Sequence, residues 1–416
     1  MNMRSLFIFI SSVLLSYISY SQSSKQEYLK NNSSVLDESY YFPQKDINVI
    51  GFGAYHGSAK TEDAEILLIQ SLLKTNGLNY YFPETDASIA HYFNEYLISG
   101  DEALLKKLVE TYGTRVPQER TVEVFNKWKK LKAINDVLPE GRKIKVLGAD
   151  PIVTYQYTYK HLLSLIKDRS NWTSARTLFN TAAKDTTDFS PYYDSYAKGE
   201  LKSFVADYEA NTKKYDALIT DKTMFGYLIG TLKVSFGDYK REKEIFSNYQ
   251  KLSKIYNLND KVQFFRYGFF HLLKAKEGKY ETFFSMLIAN GIYPKNKIAS
   301  VTGYLTASEV IWKDNYDDNG NYVSSENEGD YGIGDSPDEY FKGIENLKAH
   351  SRGDLTIFRL NVKGSPYHEK GSDLIEVIET GAKSSIDYSS NATTDFIDYA
   401  ILLRNSPASK SIYSQP

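Results

Sequence analysis

The reading of this chain turns on the stretch Ile47-Asn48-Val49-Ile50-Gly51-Phe52-Gly53-Ala54-Tyr55-His56. Its aliphatic residues Ile47, Val49 and Ile50 lead through Phe52 to a glycine and then to a histidine. A mostly apolar run of this length reads as a strand covered on both faces, the kind a parallel sheet uses. A second stretch repeats the pattern: Val262-Gln263-Phe264-Phe265-Arg266-Tyr267 runs into Gly268-Phe269-Phe270-His271. Two of the six histidines thus stand in the same Gly-x-x-His frame. Glycine is expected to let the chain turn at the strand end. The histidine after it then stands at the rim of a sheet, where open α/β sheets place their ligands.

Outward from the first frame, residues 61–75 have helical spacing, with Ile66, Leu67, Ile69, Leu72 and Leu73 on the apolar face and Asn76-Gly77 as a stop. A strand at 78–82 ends in Pro83-Glu84-Thr85, helices fit 87–97, 102–111 and 121–137, and a third strand at 143–147 ends in Gly148-Ala149-Asp150. From 155 to 257 the periodicity is helical without a convincing strand, which marks an insertion whose tyrosines and lysines would mostly face solvent. Strand patterns return at 261, 297–302, 309–312, 355–362 and 397–403, with a helix at 281–290. Alternating strands and helices predict an α/β fold: a mostly parallel central sheet flanked by helices, with a large helical insertion at about 155–257. Residues 22–44 are polar and expected to pack loosely. The acidic, glycine- and asparagine-rich segment 314–337 approximates a calcium loop at Asn315, Asp317, Asn319-Gly320 and Glu326, but a hairpin turning at Asn319-Gly320 is the better fit.

The first 21 residues pair one basic residue, Arg4, with an apolar stretch from Leu6 to Leu15 and small residues before Gln22. That is the pattern of a signal peptide, too short to span a bilayer, and it predicts an exported chain, periplasmic or secreted from a bacterial envelope. Residues 22–416 then form a single α/β domain. No later run is long and apolar enough for a membrane span. The chain has no cysteine, which excludes disulfides, thiolate metal sites and a cysteine nucleophile. A formal charge of −2 gives no support for nucleic-acid binding. The 35 tyrosines are mostly expected as half-buried surface aromatics.

Four strand ends deliver polar groups: His56, Glu84, Asp150 and His271. Parallel strands share one carboxyl edge, so these groups are candidates for one site. A histidine fixed by a carboxylate can take a proton from water. Two histidines and a glutamate, His56, Glu84 and His271, can also hold a divalent metal with a position left open for water. The spacing leaves both open, and no cofactor is assigned.

The segment Gly53-Ala54-Tyr55-His56-Gly57-Ser58, followed by Leu67 to Leu73, Asn76-Gly77-Leu78 and Phe82-Pro83-Glu84, resembles the opening of the erythromycin esterase-like family. There a strand ends in Gly-Glu-x-x-His-Gly, and a helix and a second strand ending in glutamate follow. Asn94, Tyr96 and Gly100, the strand end Val146-Leu147-Gly148-Ala149-Asp150, and the tail from Ile397 to Pro407 resemble later parts of the same family. The wider superfamily includes ChaN-like, TraB/PrgY and Tiki proteins and is marked by two Gly-x-x-His motifs, a glutamate and an arginine. Arg266 and Arg120 are candidates for that arginine. Phe52, Gly53 and Lys60 depart from the esterase motif.

The resemblance implies a hydrolase acting on a small-molecule ester or related carbonyl. His56 would be the base on water, Glu84 its orienting carboxylate and His271 the oxyanion or leaving-group donor, with Asp150 and Arg266 binding substrate. The alternatives are a metal-dependent hydrolase and a non-catalytic envelope protein binding haem or iron, as ChaN-like relatives imply. A Ser58 nucleophile lacks the Gly-x-Ser-x-Gly elbow.

Overall fold

A computed structural model describes residues 24–184, 187–329, 334–382, 384 and 386–414. The segment read as a signal peptide lies outside the described residues. In chain order the strands are β1 (Ser33–Val35), β2 (Val49–Gly53), β3 (Tyr80–Pro83), β4 (Lys145–Val146), β5 (Gln263–Tyr267), β6 (Ile298–Thr306), β7 (Glu309–Tyr316), β8 (Tyr322–Gly329), β9 (Glu339–Phe341), β10 (Leu355–Arg359), β11 (Val377–Glu379) and β12 (Tyr399–Arg404). Eight of them form one sheet in the order β1-β10-β12-β6-β2-β5-β3-β4. The pairs from β12 through β4 are all parallel, and β10 runs antiparallel between β1 and β12. This is an α/β fold built on a mostly parallel sheet.

The apolar runs become strands because helices cover both faces of the sheet. All five residues of β2 are buried, as are all five of β5 and all nine of β6. On one face Ile50 and Phe52 pack with Ile69, Leu72, Phe93 and Trp128 from the helices Ala59–Thr75, Ala87–Ser99 and Val122–Asp136. On the other, Val49, Phe82 and Phe265 share a core with Tyr159, Trp172, Leu201 and Phe225. That second core ties the helical region to the sheet. Between 155 and 256 the described residues form the helices Tyr155–Ser164, Thr173–Ala182, Tyr196–Ala210, Lys222–Ser235 and Arg241–Tyr256, with short helical turns between them, and no strand. Several tyrosines expected on solvated faces are core residues: Tyr155, Tyr159 and Tyr249 are fully buried, whereas Tyr192, Tyr193 and Tyr196 are exposed.

Two expectations change, and the hairpin expected at Asn319-Gly320 is present. The polar N-terminal segment is docked: β1 pairs with β10, and Leu29, Leu36 and Phe42 are buried. A few apolar anchors suffice when the backbone can add to a sheet edge. The strand beginning at Glu309 leaves the main sheet and pairs only with β8 in a separate ribbon. The calcium-loop residues belong to that ribbon. Asn315 donates to Glu326 across it at 3.2 Å, and Asp317 caps the turn by accepting from the backbone N–H of Asn319 and Asn321 at 2.9 and 2.8 Å. Among the described residues no helix is long and apolar enough to cross a membrane.

Candidate functional site

Strands β2, β5, β3 and β4 are parallel neighbours, so their carboxyl ends lie side by side. The chain moves from β2 to β3 and β4 on one side, returns to β5, then crosses to β6 on the other. Ligand crevices of open sheets form where the order reverses in this way. Both histidine frames end here, but neither glycine is required for its conformational freedom. Neither Gly53 nor Gly268 has a positive φ. Gly53 is needed for close approach, because a Cβ there would stand 2.4 Å from the Phe269 Cα of the second frame. At Gly268 the nearest atom to an added Cβ is 3.6 Å away, on the His271 ring.

Glu84, at the end of β3, lies between the two imidazoles. Its Oε2 is 3.4 Å from His56 Nε2 and its Oε1 is 3.9 Å from His271 Nε2. The Gly268 backbone N–H donates to Oε2 at 2.8 Å, and Arg241 donates to Oε1 at 2.5 Å. Each imidazole is held from behind through Nδ1, His56 by Glu119 and His271 by Glu242 at 2.5 Å. Glu242 is fixed in turn by the Phe283 N–H at 2.9 Å. The site is therefore two glutamate–histidine pairs facing one shared carboxylate.

Arginine completes it. Arg241 makes two bonds to Asp150, at 3.0 and 2.7 Å, and its Nη1 lies 3.3 Å from His271 Nε2. Arg115 approaches Asp150 to 2.6 Å. A guanidinium can only donate, so a hydrogen bond between the two requires His271 Nε2 to accept, with the ring's proton on Nδ1 toward Glu242.

Burial and Arg266 both disfavour a proton on His56, but Glu119 and Glu84 outweigh them and raise its pKa to about 9. Burial opposes ionisation of Glu84, yet the hydrogen bond and charge of His56, with the charge of Arg241, hold it well below the carboxylate range. Burial likewise opposes ionisation of Glu119, and His56, Lys127 and Arg266 win there too. Near neutral pH, His56 is an imidazolium between two carboxylates.

The structure brings His56, Glu84, Asp150 and His271 to one rim. Asp150 is fully buried and committed to the two arginines, so it orients them and leaves no surface for a substrate. Arg266 also lies below the site. It is 1% exposed and donates to the carbonyls of Ala54, Tyr55 and Tyr267, bracing both frames from beneath. Arg120 points elsewhere, to the Glu110 carbonyl and the Tyr316 hydroxyl. Ser58 is buried, and its hydroxyl donates to Ser406 at 2.6 Å. Among the described residues no group of three or more His, Asp or Glu side chains is disposed to hold a metal ion. The arrangement accounts for this: Glu84 is engaged by Arg241 and Gly268, and the Arg241 guanidinium stands 3.3 Å from His271 Nε2, where its charge would repel a cation.

Arg115, Glu119, Arg241 and Glu242 were missed in the sequence. Glu119 sits on the short helix Pro117–Glu119 just before Val122–Asp136, and Arg241 and Glu242 open the helix Arg241–Tyr256. In Lys240-Arg241-Glu242-Lys243-Glu244 the charge run reads as a solvated face. Position was the available signal. A helix that precedes a parallel strand runs against it and starts at the sheet's carboxyl rim, so charges in its first turn face the site.

No protein-family model and no curated protein matches this chain. Solved structures do. A Bacillus cereus protein aligns over 94% of this chain and 99% of its own at a TM-score of 0.61 and 12% identity. A succinoglycan biosynthesis protein aligns over 94% and 98%, with a TM-score of 0.63 and 13% identity. A mutant of the erythromycin esterase EreC in its open conformation aligns over 88% and 93%, with a TM-score of 0.57 and 12% identity. At these identities the likeness is one of architecture, and in architecture the chain has an erythromycin esterase-like fold.

Proposed function

We propose that the chain is a hydrolase that activates water between His271 and His56 for attack on an ester or related carbonyl. The observation that carries this reading is the pair of imidazoles whose Nε2 atoms converge on Glu84 while a glutamate fixes each Nδ1. The two rings divide the proton work. His271 Nε2 carries a lone pair and takes a proton from water as its oxygen attacks the carbonyl carbon. His56, charged near neutral pH, donates toward the developing oxyanion with Arg241 beside it, then passes its proton to the leaving alkoxide. The products are an acid and an alcohol, and proton exchange with solvent resets both rings. The base role that the family resemblance assigned to His56 thus passes to His271. The physical reason is that Glu119 and Glu84 keep His56 protonated.

The fold of a known erythromycin esterase supports placing macrolide lactones in a panel of activated esters. Purified protein should turn over at least one member. His56→Ala and His271→Ala should each lose about 10²- to 10⁴-fold, the usual worth of a positioned acid or base. Turnover unchanged in both variants would remove the site from the mechanism. Wild-type activity should fall as pH rises through about 9, where His56 loses its proton. A rise through that range would make His56 the base after all.

Residues 1–21 are proposed as an export signal, placing the enzyme in the periplasm or outside the cell. Terminal sequencing of the exported chain should begin at Gln22, and an intact terminus on protein recovered from the envelope would count against it.

A further inference from the structure

Behind His56 lies a second set of charges that the reaction does not touch. Glu62 and Glu65 stand on the helix Ala59–Thr75, Lys127 on Val122–Asp136 and Arg266 on β5, with side chains 0–4% exposed. Lys127 Nζ is 2.6 Å from Glu62 Oε2 and 3.0 Å from Glu65 Oε2. Arg266 Nε is 3.6 Å from Glu65 Oε2, and its Nη2 is 4.0 Å from Glu119 Oε1. Glu119 holds His56. The Tyr81 hydroxyl donates to Glu65 at the centre of this line, and buried Tyr112 lies in the field of Glu119 and Lys127. Ion-pair contacts thus run from His56 at the rim to Glu62 at the far end.

Glu62 differs from the other members. Neither of its oxygens receives a hydrogen bond of good geometry. It also lines a cavity of about 330 Å³ with Asp63, Glu123, Asn126, Lys127, Lys129 and Lys130, between the helices Ala59–Thr75 and Val122–Asp136. Three carboxylates, Glu62, Glu65 and Glu119, face two cations, Lys127 and Arg266. One negative charge is left over, and an unpaired buried charge is strongly disfavoured. A proton on His56 or on Glu62 removes it.

We infer that Glu62 is a positioning residue for the proton on His56: the two share the single proton that balances the buried charge line, and Glu62 exchanges it through a cavity separate from the substrate crevice. Burial raises the Glu62 carboxyl above the carboxylate range, Lys127 opposes it, Glu119 and Glu65 add to it, and Arg266 opposes it. This rests on His56 acting through its proton, as proposed above. Its consequence is that a neutral residue at 62 weakens the hold of His56 on its proton, and loss of the Lys127 charge strengthens it.

The test is an NMR titration of the His56 ring in the full chain, its resonance identified by loss in His56→Gln. In Glu62→Gln the midpoint should fall by about half a unit to one unit, the size expected of one charge acting through a buried path at an effective dielectric near 20. In Lys127→Met it should rise, and in Lys127→Arg it should stay. Opposite signs are what a packing defect cannot produce. If Lys127→Met does not fold by circular dichroism, Glu62→Gln decides. An unmoved midpoint in Glu62→Gln, or movement in the same direction in both variants, overturns the inference. The titration needs no substrate, so a chain that hydrolyses no ester would fail the proposed function without touching this result.

Discussion

His56 and His271 follow neighbouring parallel strands, close the same four-residue frame, and each rest Nδ1 on a glutamate while Nε2 turns toward Glu84. Their surroundings differ. Glu119 behind His56 is 1% exposed and tied into a buried line of charge, whereas Glu242 behind His271 is 17% exposed at the start of a helix. In front of His56 stands a carboxylate, and in front of His271 stands a guanidinium as well. The same local motif therefore meets different charges at its two rings. A motif places the ring, and the charges around it choose its protonation state.

The glycines of the two frames give the largest way to break the comparison. Gly53→Ala should destabilise the chain by about 3 kcal/mol, the upper part of the range for overpacking, because the new methyl meets Phe269 backbone at 2.4 Å. Gly268→Ala, where the nearest atom is 3.6 Å away, should be neutral or gain roughly 0.5 kcal/mol by stiffening the unfolded chain. Chemical denaturation of both variants checks this, and equal losses would mean that the frames are packed alike.

Stability against pH is the next effect. The His56 pKa rises from 6.5 to about 9 on folding. A raised pKa contributes stability that is complete below 6.5 and lost as pH climbs through about 9. The difference in unfolding free energy between wild type and His56→Gln should therefore shrink by about 2–3 kcal/mol from pH 6 to pH 10. A constant difference would show that His56 is neutral in the folded chain.

The partner glutamates sharpen the contrast most finely. Glu119→Gln should move the fall in activity near pH 9 to lower pH by about a unit or more, since it removes an ionised partner of His56. Glu242→Gln should lower turnover by loosening His271 and leave that limb in place. If both variants move it equally, the two rings share one titration.

Much of the site's skeleton was legible before the fold. Apolar runs ending in Gly-x-x-His, Pro-Glu and Gly-Ala-Asp mark strand ends, and parallel strands oblige those ends to share a rim. The supporting glutamates and arginines escaped because Glu119 and Arg241-Glu242 lie at helix starts within ordinary charged stretches. Arg266 escaped in the opposite sense. Its place next to the second frame suggested a ligand contact, but strand alternation turns it under the sheet rim, where it binds main-chain carbonyls.

By itself the sequence determined the α/β class, the strand ends and the histidines that stand on them, because hydrophobic period and glycine placement are local properties. Only the tertiary structure decided which carboxylate lies behind each ring, that Asp150 serves two arginines, and that His56 carries the proton. Those outcomes depend on charges 29 or more residues apart in the chain meeting within 4 Å in a buried, weakly screening interior, and no local pattern encodes that meeting.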